Sequence, residues 1–161
     1  MTREPKPEPM KEVFQMKKTL TALALAAATI TGLPAQAEEA RNLVTVVTSP
    51  DPQTQLMSMV LTMQSVQQGA KAQILLCGPA GDLALKEASA SATAGQAPKD
   101  MSPQGLMKMI MDKTGTKVEV CALYLPNKGV DASALLDGVT AAKPPAMAAA
   151  LLADDTTILS F

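Results

Sequence analysis

Two cysteines, Cys77 and Cys121, a single tyrosine, Tyr124, and no histidine set the chemistry open to this chain. Without histidine there is no Ser-His or Cys-His dyad and no His-ligated zinc, copper or iron site. A general acid or base must then be a carboxylate, a lysine, a tyrosine or a thiol. A thiol ionises near about 8.5, and a nearby lysine or helix N-terminus raises its thiolate fraction. Around Cys121, Lys128 and a helix start near Asp131 are the groups placed to supply such a field, with Tyr124 as a hydrogen-bond donor. Opposed to this nucleophile reading is a plainer one, in which Cys121 is a small buried apolar residue. Three roles stand open for Cys77: structural, resolving an oxidised Cys121, or bridged to it. A bridge requires the two α-carbons to lie about 4.4–6.8 Å apart.

Methionines offer a second chemistry. Met57, Met59 and Met63 fall on one helical segment, and Met107, Met109 and Met111 form a Met-x-Met-x-Met on another. Thioether and thiolate ligands suit Cu(I), so a soft-metal carrier is an alternative. Alternate residues leave a helix on different sides, however, and only Met107 and Met111 share a face. Core packing accounts for most of these side chains. No cofactor motif and no metal-ligating spacing is present. Lys71, Lys113 and Lys117 read as solvated charges without a role.

Charge and aromatic content exclude a nucleic-acid partner. Lys and Arg number 14 against 15 Asp and Glu, with no block of either sign to attract a phosphate backbone. Beyond residue 37 the aromatics are Tyr124 and Phe161, which is no base-stacking platform.

The 161 residues suit one domain, preceded by a targeting segment. Met16-Lys17-Lys18 is basic, Thr19 to Leu33 is uncharged and apolar, and Ala35-Gln36-Ala37 supplies small residues before a cut. That is the pattern of a cleavable signal peptide, with cleavage after Ala37 and a periplasmic location. The apolar run is shorter than the ~20 residues needed to cross a bilayer, so no membrane association is expected after cleavage. Residues 1–15 read as an extension ahead of a natural start at Met16. The folded domain is then 38–161, long enough to bury roughly two-thirds of its unfolded surface. In such a compartment the cysteines can form a disulfide.

Strands and helices alternate along that domain. Asn42 to Thr48, Lys71 to Cys77, Lys117 to Leu123 and Thr156 to Phe161 are strand-like runs rich in β-branched and aliphatic residues. Asp51-Pro52 opens a helix that closes near Gln68-Gly69, and Ser102-Pro103 opens one that stops at Gly115. Gly81 to Glu87 reads as a helical turn or an extra strand, and Ala88 to Asp100 as a long loop, either a lid or binding loop or a tolerated surface insertion. Pro126 to Gly129 turns the chain, Asp131 to Leu136 reads as a short helix, and Pro144-Pro145 opens an alanine-rich helix through Leu152. The expected fold is a three-layer α/β/α domain with a mostly parallel sheet of four to five strands. Ligands of such sheets bind beyond the carboxyl ends of the strands; Cys77 falls at that end of its strand, and Cys121 lies in the third strand close to the same edge.

Val118-Glu119-Val120-Cys121, Lys128-Gly129, Leu136-Asp137-Gly138-Val139 and the closing Thr157-Ile158-Leu159-Ser160-Phe161 resemble the DsrE/DsrF-like family of YchN-type proteins, as does Leu76-Cys77-Gly78-Pro79 through Leu85. The resemblance runs over essentially all of residues 38–161. It implies a homo-oligomer, commonly a trimer or hexamer, and a cysteine that accepts and passes sulfane sulfur as a persulfide from a donor to an acceptor. Cys121 matches that cysteine by position. Where relatives often carry a second cysteine three residues on, this chain has Tyr124, and their basic residue, usually arginine, is Lys128 here. A Cys-x-x-Cys exchange is therefore closed to it, and a non-catalytic oligomeric scaffold with structural cysteines is the alternative.

Overall fold

The structure, a computed structural model, describes residues 41–161. The signal peptide, its cleavage point after Ala37 and the start at Met16 lie outside the described residues. Residues 41–161 form one compact unit.

Strand β1 (Asn42–Val47) is a run of aliphatic and β-branched residues buried over most of its length. Helix α1 (Pro52–Gln67) follows at once, because the Asp51 carboxylate accepts from the Thr54 N–H at 2.7 Å and Pro52 occupies the first turn. Gly69 adopts φ +96, a conformation that releases the chain into β2 (Lys71–Leu76). After α2 (Ala90–Thr93) comes α3 (Pro103–Thr114), where Ser102 caps the Gly105 N–H at 3.0 Å and Gly115 takes the left-handed cap at φ 67. Then follow β3 (Lys117–Val120), α4 (Tyr124–Lys128), β4 (Thr140–Ala141), α5 (Pro144–Leu151) and β5 (Thr156–Ser160). The five strands are parallel in the order β4-β3-β2-β1-β5. This is the expected α/β class.

Alternate strand residues divide between two apolar layers, as the period of two requires. On one face Val47, Ile74, Leu76, Val118 and Val120 pack with Met59 of α1 and with Met107 and Ile110 of α3. Thr45 reaches Thr62 of α1 through a buried hydroxyl pair at 2.7 Å, so this contact is satisfied as well as packed. On the other face Val44 and Leu75 meet Met147 of α5 in a smaller cluster. Helices therefore cover both faces.

Several local expectations are corrected. The third strand ends at Val120 rather than Leu123, because Tyr124 N–H bonds back to the Cys121 carbonyl at 2.8 Å and turns the chain into α4. Pro126 to Lys128 therefore belongs to a helical turn, which Gly129 ends at φ 73. Gly78–Ala84 is a 3-10 helix, and Leu85 makes one antiparallel bridge to Leu135. The strand without a sequence signal of its own is β4 (Thr140–Ala141), too short to leave a hydrophobic run. Residues 131–136 hold only the 3-10 turn Ala132–Ala134. Within the long loop, Ala92 is buried and Gln96 donates to the Pro52 carbonyl at 2.8 Å, so part of it is helical and tied to α1. Lys117 is not simply solvated. It pairs at 2.8 Å with Glu119, a buried carboxylate that also accepts from Gln73 at 2.5 Å and would be costly to leave alone.

Candidate functional site

Parallel register builds the centre of the site. Leu76 of β2 stands opposite Val120 of β3, so the next residue on each strand, Cys77 and Cys121, falls at the same level. Both backbones stay anchored: Cys77 N–H donates to the Val47 carbonyl at 2.9 Å, and Cys121 N–H to the Leu76 carbonyl at 2.8 Å. The α-carbons are 5.0 Å apart and the sulfurs are joined as a disulfide. That separation lies inside the usual range of about 4.4–6.8 Å. Of the three roles open to Cys77, the structure draws the bridge. Both cysteines are half-buried and pack beside Leu75 and Met147 at the carboxyl edge of the sheet.

A polar cluster stands beside them. Gly78, at φ 53, lets the chain leave β2 sharply into the 3-10 helix that carries Asp82. Gln104 of α3 steadies that helix by donating to the carbonyls of Leu83 at 3.0 Å and Leu85 at 2.8 Å. Tyr124 and Lys128 are four residues apart on α4 and so share a face. The Tyr124 hydroxyl donates to Asp82 Oδ1 at 2.6 Å, and Lys128 Nζ donates to the same oxygen at 2.7 Å. Gly81 has no Cβ for a reason: one placed there would enter the Tyr124 ring.

Burial works against ionisation of Asp82, but the hydrogen bonds from Lys128 and Tyr124 and the Lys128 charge outweigh it. They hold the carboxyl below its ordinary 3.8. Burial, then the hydrogen bond and charge of Asp82, raise the Tyr124 hydroxyl well above its ordinary 10.0. The signs differ. Asp82, depressed in the fold, stabilises above its unfolded value, and that contribution goes as pH falls through the folded value. Tyr124, raised in the fold, stabilises fully below its unfolded value and loses the contribution as pH climbs through the folded one. Melting temperature against pH should accordingly fall less steeply above pH 10.0 in Tyr124→Phe, and less steeply below pH 3.8 in Asp82→Asn. Two profiles parallel to wild type would mean that the cluster does not form.

The cysteines and the cluster open onto one cleft of about 570 Å³, with Pro79, Asn127 and Leu123 completing its walls. Leu123 is 71% exposed at its rim. Cys77, Cys121, Tyr124 and Lys128, all singled out from the sequence, thus meet in one place. Asp82 and Asn127 were not anticipated. Asp82 lies 42 residues before Tyr124, and no local pattern links them. Among the described residues no group of three or more His, Cys, Asp and Glu could hold a metal ion. Met107 is fully buried in the core, and Met111 packs against its margin.

The fold is similar to those of solved structures. The ychN protein from E. coli superposes with a TM-score of 0.58 at 18% identity, over 76% of this chain and 99% of that one. The fold is similar to that of the ychN protein. A protein of unknown function from Methanobacterium thermoautotrophicum, MTH1491, matches with a TM-score of 0.55 at 10% identity, over 76% of this chain and 100% of that one. At these identities the likeness is one of fold. No family model and no curated protein matches the chain.

Proposed function

We propose that this chain is an exported DsrE-like protein that binds or relays sulfane sulfur as a persulfide on Cys121. The observation that carries the reading is the position of Cys121 at the carboxyl end of a parallel strand, on a cleft shared with Cys77, Tyr124 and Lys128. Ligand sites of open α/β sheets lie at that edge. Uptake starts from the reduced cysteine pair. The Cys121 thiolate attacks the outer sulfur of a donor persulfide, the donor leaves as a thiolate, and the sulfur remains on Cys121. Lys128 presents its remaining N–H donors at the cleft, and Asp82, held also by the Tyr124 hydroxyl, steadies it there. The sequence pattern ending at Ala37 supports a periplasmic location, and the resemblance to the DsrE/DsrF-like family supports a homo-oligomer, a trimer or hexamer, as the working form.

A specific observation favours a second reading: the cysteines are joined in the resting fold. In that reading the bridge is structural and the domain is an oligomeric scaffold. The two separate in one experiment. The protein is reduced under native conditions, freed of reductant, mixed with inorganic polysulfide and mapped by mass spectrometry after alkylation. Sulfur appearing on Cys121, or thiols consumed with sulfide produced, in wild type but not in Cys121→Ser, supports sulfur handling. Thiols that resist native reduction, or that react no differently in Cys121→Ser, leave the scaffold.

A further inference from the structure

Resting on the sulfur-handling reading, we infer that Cys77 is the resolving thiol, so that the protein reduces sulfane sulfur to hydrosulfide and ends each cycle as the Cys77–Cys121 disulfide. The chain contains two cysteines in all, so any internal resolution of a Cys121 persulfide must come from Cys77. Geometry leaves little choice in the matter. The two residues stand across adjacent strands with α-carbons 5.0 Å apart. Each is held there by a ladder hydrogen bond, to Val47 and to Leu76. A persulfide formed on Cys121 is thus made within reach of a thiol that needs no domain motion to meet it.

The step balances. The Cys77 thiolate attacks Sγ of Cys121, a new Sγ–Sγ bond forms, and the bond from Cys121 Sγ to the terminal sulfur breaks. The terminal sulfur leaves with the bonding electron pair and takes or keeps one proton as HS⁻. It is reduced by two electrons, and the two cysteine sulfurs are oxidised to the disulfide. The departing anion leaves into the cleft that holds Lys128, whose ammonium has three N–H donors. Asp82 accepts from one of them. Resetting the site requires a dithiol reductant, which takes up the oxidation by thiol–disulfide exchange through a mixed disulfide at the cleft. The reaction that follows in sequence is therefore a dithiol oxidation, and the one that precedes it must supply a persulfide or polysulfide.

The test uses the reduced full domain, polysulfide as donor, a sulfide-selective readout, and mass mapping of both cysteines. Wild type should release sulfide and lose both thiols together, without accumulating a persulfide. In Cys77→Ser and Cys77→Ala the sulfur should stay on Cys121, and sulfide release should slow by on the order of 100-fold, because an oriented internal thiol is replaced by a bimolecular one. Cys121→Ser should take up no sulfur. Agreement of the serine and alanine variants excludes a defect peculiar to one of them. A wild-type persulfide that persists beside a free Cys77, or Cys77 variants that release sulfide at the wild-type rate, overturns the resolving role and leaves the persulfide reading standing. If wild type and both Cys77 variants take up no sulfur on Cys121, both fall together.

Discussion

Reduction of the Cys77–Cys121 bridge, or replacement of both cysteines by serine, lowers the stability of the domain by about 2–4 kcal/mol. The bridge joins residues 44 apart in sequence, and the chain-entropy model assigns a loop of that size about 4 kcal/mol, toward the upper end of that span. The enclosed segment contains the 3-10 helix, α2, α3 and β3, so its freedom in the unfolded chain is large. Thermal unfolding followed by circular dichroism should show the midpoint falling by on the order of 10 °C with reductant. The fold itself should survive, because the strand ladder and both apolar layers are formed without the sulfur bond. An unchanged midpoint would mean that the cysteines are not bridged in the starting protein.

Ile74→Ala should be the most damaging single truncation for its size. Ile74 is fully buried on the middle strand, between Thr45 of β1 and Val118 of β3, where no neighbour can leave its ladder position to fill the space. Truncation of such an aliphatic side chain costs about 2–5 kcal/mol, from lost transfer energy and the residual cavity. Against a total of about 5–15 kcal/mol that is a large share. Leu61→Ala on exposed α1 surface is the control, with an expected effect within about 0.5 kcal/mol. Urea titration reads both, as a shift in midpoint at constant slope. A cost below about 1 kcal/mol at Ile74 would contradict its place at the centre of the sheet.

The elements most legible in the sequence are those with their own local signals. β1, β2, β5, α1, α3 and α5 lie within a residue or two of their expected limits, because aliphatic runs, Asp51 and Ser102 caps, and Gly69 and Gly115 stops act over a few residues. The failures share a cause. β4 is two residues long and exists because Ala142 N–H reaches the Val120 carbonyl at 2.8 Å, a partner no local pattern names. The helical turn at Tyr124–Lys128 contains a proline and looks like a simple turn until its first N–H finds Cys121. In the long loop, Ala92 is ordered by burial rather than by propensity.

The site divides along the same line. Sequence alone determined that Cys77 closes its strand and Cys121 lies near the same edge, that no histidine can assist them, and that Tyr124 and Lys128 follow Cys121 closely. Only the tertiary structure decided that β2 and β3 are neighbours in the register Leu76↔Val120, which sets Cys77 opposite Cys121. It also decided that Asp82 crosses to Tyr124 and Lys128. Propensity and capping are set by residues a few positions apart. Strand order and register follow from which long-range pairing buries the apolar faces of the whole domain, and that choice brings the site together.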